Sequence, residues 1–347
     1  MTAQRIEASP QARFLRTPPR APGWARILLA LVAFEAAAFS SLLFGGIGSF
    51  HAWVVSDDPI LKTGTLVVMW TVSCIAYLLF ALMLTRYMDH RPVRAAGLVF
   101  NRRAAKALLA GTGISTVVVC CVTAVSHVLG LVVPSPPMDL QVPWWFIVVS
   151  VLVVLARSYV FQGIGEEAIM RGYLLQSFSD RPTRAVWVSV IVFTIPHIIS
   201  RGGQQNVLER VIYLAIPFGF ALAATCLCLI MRSVWAGIGI HGGFHLATAI
   251  ARIVGTSDGP VNWTLTGAFY VVVALILAYR ISEQRWVEIA ERGPYAPPAA
   301  SGSGARQETA DRGIREKGSA GWLRLARWHQ RADLNQPWCC PVPSRSL

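Results

Sequence analysis

The chain has 347 residues, 54% of them hydrophobic and only 14% charged, with 31 Lys and Arg against 18 Asp and Glu for a net charge of +13. Soluble domains carry about 25% charged residues, so this composition argues against a soluble globule and for a membrane protein. The positive charge sits in short segments between apolar runs, which argues against nucleic acid as its reason.

Residues 1–26 carry five arginines and Glu7 among prolines and polar residues, and are expected to form a flexible cytoplasmic arm. Apolar runs of about 20 residues, enough to cross a bilayer, then recur. They predict eight helical spans, at 27–47, 66–85, 107–133, 143–165, 186–200, 211–230, 233–253 and 264–281. The first is too long for a cleaved signal peptide, and no small-residue cleavage site clearly follows it. The fourth continues apolar past two glutamates to about Phe178, as one long or broken helix. The expected fold is all-α, a polytopic helical membrane bundle over 27–281. A tail over 282–347 follows, largely disordered, opening with a linker at 293–304 and carrying a short amphipathic piece at 320–332.

Alternate loops differ in charge. Residues 86–106 hold five arginines and Lys106 against Asp89, the next such turn has Arg181 and Arg184, and a third has Arg232. The intervening loops hold Asp57, Asp58 and Lys62, then Asp139, then Asp258, with a mixed loop at 201–210. By the positive-inside rule this alternation places both termini in the cytoplasm, as an even number of spans requires. Five of the seven cysteines lie in apolar runs, where cysteine acts as a small hydrophobe, and no C-x-x-C zinc spacing occurs. No internal repeat supports the inverted-repeat design of many transporters.

Three motifs place ionisable groups inside apolar runs, where charge is costly and usually functional. The first is Glu166-Glu167-Ala168-Ile169-Met170-Arg171. On a helix Glu167 and Arg171 stand four residues apart and can pair, while Glu166 points about 100° away. A charge pair steadying a helix end is the alternative. The second is Phe193-Thr194-Ile195-Pro196-His197, in which Pro196 weakens the helix and frees a carbonyl. The third is His241-Gly242-Gly243-Phe244-His245, two histidines on one helix face. There Gly237, Gly239, Gly242 and Gly243 leave a thin helix that neighbours can approach closely. Counted from the arginine-bearing turns at 1.5 Å per residue, Glu166, His197 and His245 share a depth of about 20 Å and His241 lies at about 13 Å. That common level favours one site reached from the cytoplasmic side. Glu35 and Arg157 are further charges within apolar runs.

Together the motifs resemble the CPBP family of intramembrane proteases, which includes the CAAX prenyl endopeptidases and the bacteriocin-processing and immunity proteins. The family pattern is EExxxR, FxxxH and HxxxN on successive helices. This chain matches it at Glu166-Glu167-xxx-Arg171, Phe193-xxx-His197 and His241-xxx-His245, and departs from it at His245, which stands in place of asparagine. The resemblance implies an intramembrane endopeptidase that cleaves a membrane-associated peptide or protein. In that reading Glu166 is the general base toward water, aided by His197. His241 and His245 donate hydrogen bonds to the oxyanion, and Glu167, Arg171 and Phe193 support the site.

Metal-free glutamate chemistry ranks ahead of zinc, for which Glu166, His197, His241 and His245 are the candidate ligands and H-E-x-x-H is absent. The competing readings are a non-proteolytic immunity or scaffold protein of the same family, and an ion-coupled transporter. The expected location is the bacterial cytoplasmic membrane, since Arg outnumbers Lys 28 to 3, a bias of GC-rich genomes. The expected partners are the bilayer and the substrate, with no nucleic acid.

Overall fold

The computed structural model describes residues 19–135, 143–256 and 258–298, which are almost entirely helical. Helix α1 (Gly23–Phe39) runs into a 3₁₀ turn and is followed by the short α2 (Gly48–Val54). Helix α3 (Pro59–Met83) starts where Asp58 accepts from the backbone N–H groups of Ile60 and Leu61, with Pro59 supplying the first helical φ. Asn101 caps α4 (Arg102–Val128) in the same way, through Arg103 and Ala104. Helix α5 (Trp144–Leu155) continues without a break to Leu175, but its winding widens to π over Ala156–Glu166 and Ala168–Leu175. The stretch that the sequence left as one long or broken helix is therefore one rod of 32 residues with altered winding.

Helix α6 (Pro182–Thr194) ends in a 3₁₀ turn, Ile195–Ile199, at Pro196. Helix α7 (Val207–Tyr213) is capped by Asn206 and leads into α8 (Ala215–Met231), α9 (Trp235–Val254) and α10 (Pro260–Tyr279). After a break, Ser282 caps α11 (Glu283–Arg292). A two-residue antiparallel ladder, β1 (Val133–Pro134) on β2 (Gly255–Thr256), ties the ends of α4 and α9.

Seven described helical stretches are long and apolar enough to cross a bilayer, which makes this an integral membrane protein built as a helical bundle. They correspond to seven of the eight expected spans. The expected span at 233–253 forms the 20-residue α9, which is not among the seven because two histidines and several glycines dilute its apolar content. It sits inside the bundle, against α4, the π-wound half of α5 and α8. Its glycines permit that position: Gly239 faces the Leu108 carbonyl and Gly111, and a Cβ on Gly243 would come within 2.7 Å of Thr112 Cα. The Val207–Met231 stretch is the other central element, with 72% of its most apolar window buried. There Gly219 lets α8 approach α10 backbone to backbone at Gly267.

The arginine-bearing turns gather at one end of the bundle. Buried Arg91 donates to the Gln176 carbonyl and to its Oε1 at 2.6 Å, and Gln176 donates to buried Asp89 at 3.0 Å. Arg26 lies over the Phe178 ring at 4.3 Å. Helix α11 and the chain up to Pro297 belong to the same compact unit as the membrane helices. The arm over 1–18, the loop with Asp139, the amphipathic piece at 320–332, and Cys339 and Cys340 lie outside the described residues.

Candidate active site

The π winding of α5 presents Glu166 and Glu167 side by side in the protein interior, with Glu167 fully buried and Glu166 9% exposed. Wide π turns inside a helix are uncommon and often mark functional sites. Arg171 donates to Glu167 Oε1 at 2.8 Å, and both side chains are fully buried. The spacing of four residues therefore pairs as expected. The same oxygen accepts from His241 Nδ1 on α9 at 3.1 Å. Glu167 thus ties α5 to α9 as well as to its own helix. Its second oxygen, Oε2, is buried without a hydrogen-bond partner and lies against Gly237. A Cβ on Gly237 would come within 2.5 Å of that oxygen.

Arg171 is held from two further directions. It donates to the Ala221 carbonyl of α8 at 3.2 Å, and its guanidinium lies 4.6 Å from the centre of the Phe193 ring. Phe193 is also in contact with the rings of His197 at 4.5 Å and His241 at 5.7 Å between centroids. Phe220 of α8 closes the other side of His241 at 4.8 Å and meets Phe193 edge-on at 5.1 Å. An aromatic wall therefore surrounds the Glu167–Arg171–His241 cluster and keeps water from the ion pair, which strengthens it.

His197 sits in the 3₁₀ turn that Pro196 forces. Its Nδ1 lies 2.8 Å from the Phe193 carbonyl, the acceptor that an unbroken helix would have used for its own ladder. A carbonyl only accepts, so Nδ1 carries the proton and Nε2 is left with a lone pair. The same logic applies to His241, whose Nδ1 faces a carboxylate paired with arginine. His245 lies next to His241, with the rings tilted at 35° and 5.2 Å between their centres, and Arg157 is among its electrostatic neighbours.

Glu166 interacts most strongly with Glu167 and Arg171 among charged groups, and it also has neighbours that Glu167 lacks. Its electrostatic neighbours include Glu35 of α1 and Tyr77 of α3, and its Oε2 is buried without a hydrogen-bond partner. Gly165 makes this approach possible, because a Cβ there would come within 2.7 Å of the Tyr77 ring. The two glutamates therefore have different surroundings, one locked in an ion pair and one with a buried oxygen left over.

The depth count treated the glutamates as α-helical, and the π winding removes its basis for Glu166. What brings acid and imidazole together is direct contact between α5 and α9. The motifs supplied Glu166, Glu167, Arg171, Phe193, His197, His241 and His245. The wall and supports at Phe220, Tyr77 and Tyr295 carry no sequence signal. Tyr295, beyond the last span, donates to the Arg171 carbonyl at 2.6 Å. Gly237 was legible as a packing glycine but not as the seat of a carboxylate.

A catalytic zinc needs three protein ligands and a water. Among the described residues no group of three or more His, Cys, Asp or Glu is gathered to hold a metal. The Nδ1 contacts of His197 and His241 leave each Nε2 free and do not themselves count against a metal; what is lacking is convergence of the donors. As placed, the donors Glu166, His197, His241 and His245 do not fit zinc, and no step is routed through a metal.

Residues 141–247, which include all three motifs, match the family described as type II CAAX prenyl endopeptidase Rce1-like. No curated protein and no solved structure matches the chain significantly.

Proposed function

The match over 141–247 identifies the chain as a CPBP/CAAX-type family member, and from that premise we propose that it is an intramembrane endopeptidase acting on a membrane-associated peptide or protein. The observation that carries this reading is the buried Glu167–Arg171–His241 cluster beside a second glutamate and His197, inside membrane-spanning helices.

In the proposed reaction Glu166, aided by the free Nε2 of His197, is the base toward a water. As its oxygen attacks the scissile carbonyl, Glu166 takes one proton, the C=O π bond opens and the oxygen becomes an oxyanion. Collapse of that intermediate breaks the C–N bond, and the proton held by Glu166 passes to the leaving amine. Glu167 accepts from Arg171 and orients His241 through Nδ1, so that a proton on His241 Nε2 would be stabilised by the carboxylate behind it. Among the described residues no carboxylate pairs with His245, which offers its N–H to the oxyanion directly, as the asparagine of the family pattern would with its amide. By the positive-inside rule the arginine-rich end of the bundle faces the cytoplasm, which makes this the side of substrate entry.

The test compares membrane-derived peptides in cells carrying the wild-type chain and Glu166→Ala or His197→Ala. Precursor accumulation and loss of specific cleavage products in both variants is the expected result. Unchanged peptides together with an intact phenotype would replace this reading with a non-proteolytic scaffold or immunity role.

A further inference from the structure

A cavity of about 320 Å³ opens at the arginine-rich end of the bundle and shares no lining residue with the glutamate–histidine cluster. Its walls come from four distant parts of the chain: the segment between α3 and α4 with the start of α4, Gln176 at the end of the long α5 rod, the turn between α8 and α9, and the end of α11 with the segment after it. Among the described residues five arginines line it, Arg91, Arg94, Arg103, Arg232 and Arg292, and no carboxylate does. Behind the wall, the single carboxylate of Glu288 is shared by Arg232, which grips it with two bonds of 2.5 and 2.6 Å, by Arg292 at 3.2 Å and by Arg285 at 3.2 Å. One negative charge cannot balance three guanidinium groups. Arg94 and Arg103 are exposed, and their side chains have no hydrogen-bond or ion-pair partner among the described residues. Asp89 and Asp180 act on Arg91, but among the described residues the cavity still carries an excess of positive charge, concentrated at Arg94, Arg103, Arg232 and Arg292.

The rim has a second character. Val93, Val99 and Phe100 are 49%, 57% and 60% exposed next to these arginines. Phe100 meets Trp235 edge-on at 4.7 Å, and the Trp235 indole N–H donates to the Leu98 carbonyl at 3.0 Å, which anchors this loop. Exposed apolar side chains with a tryptophan, beside a basic hollow at the end of membrane helices, have the composition of a bilayer interface. A soluble anion has no use for the apolar rim, whereas a lipid places its acyl chains there and its phosphate among the arginines.

We propose that this cavity binds the phosphate-bearing headgroup of an anionic membrane lipid. The wall at Gly293–Pro297 includes Tyr295, so an occupied cavity steadies the strap that bonds the Arg171 carbonyl. The proposal does not depend on proteolysis, and its test does not read it.

The experiment uses the full chain reconstituted in nanodiscs of phosphatidylcholine, phosphatidylcholine with a minor fraction of phosphatidylglycerol, or phosphatidylcholine with inorganic phosphate in the buffer. The readouts are phosphatidylglycerol retained in native mass spectrometry and the thermal unfolding midpoint. Phosphatidylglycerol is expected to be retained and to raise the midpoint, with phosphate inert. At roughly fivefold per arginine near a membrane surface, Arg94→Gln with Arg103→Gln weakens retention roughly 25-fold. Both side chains are exposed, so the midpoint in pure phosphatidylcholine should stay unchanged. Should that midpoint fall, the single Arg94→Gln change is read instead, with a roughly fivefold loss expected. Equal retention by wild type and variant would overturn the proposal, as would stabilisation by free phosphate equal to that by the lipid.

Discussion

Replacing Gly237 by alanine tests whether the Glu167 carboxylate is the hinge of the site. The new methyl would stand 2.5 Å from Glu167 Oε2 and 3.1 Å from Cys228 Sγ. A comfortable C···O approach is about 3.3 Å, so the carboxylate must retreat by about 0.8 Å. Its other oxygen accepts from Arg171 at 2.8 Å and His241 at 3.1 Å, and both bonds lengthen toward or past the limit of hydrogen bonding. Overpacking of this kind costs about 1–3 kcal/mol, set against about 1 kcal/mol gained from alanine's better helix propensity. A displacement near 1 Å in a catalytic constellation costs about 100-fold in rate.

The matched control is Gly113→Ala on α4, where a Cβ meets nothing within 4 Å. The control should be neutral or slightly stabilising and fully active. Thermal unfolding of purified protein can be followed by loss of the helical circular dichroism signal, since exposed Cys120 and Cys121 would react with a thiol dye before unfolding. Cleavage is read from membrane-derived peptides in cells. If Gly237→Ala matches Gly113→Ala in both midpoint and cleavage, the carboxylate is not held as described and the argument for a preorganised cluster fails.

Glu167→Gln leaves Arg171 fully buried without its counter-charge, and the expected loss is about 3–5 kcal/mol. Adding Arg171→Met should restore most of the midpoint while cleavage stays absent. A stable single variant would show that the ion pair is dispensable. At His245, asparagine should retain most activity and alanine should lose about 10²–10³-fold if the residue donates to an oxyanion. Equal activity of the two variants would remove that role. Outside the membrane helices, burial pushes the Glu288 carboxyl up, but Arg232 and Arg285 outweigh it and hold the group below its usual range. A carboxyl with a lowered folded-state pKa stabilises above its ordinary range, near pH 4.5, and that contribution is lost as pH falls through the lowered value. The acid limb of the midpoint-versus-pH curve should therefore flatten in Glu288→Gln, and an unchanged limb would rule this ion pair out as its source.

Composition and periodicity alone determined that this chain is a helical membrane protein, because about 20 apolar residues in a row leave a helix few other places to be. The motifs also named the acids, the arginine and the imidazoles, since ionisable groups in such runs stand out against their surroundings. Pro196 announced a local break, and the Phe193 carbonyl it affects is the one His197 uses.

Only the tertiary structure decided how these parts meet. Glu167 reaches His241 because glycines let α9 lie close to α4 and leave space for a carboxylate at Gly237, a matter of distances between helices far apart in sequence. The π winding that sets the two glutamates in different surroundings has no marker in a periodicity of 3.6. Phe220 looks like any apolar residue of a span until it packs on His241. Tyr295 lies past the last span, where polar composition suggested loose chain, and its bond to the Arg171 carbonyl depends on α11 folding back onto the bundle.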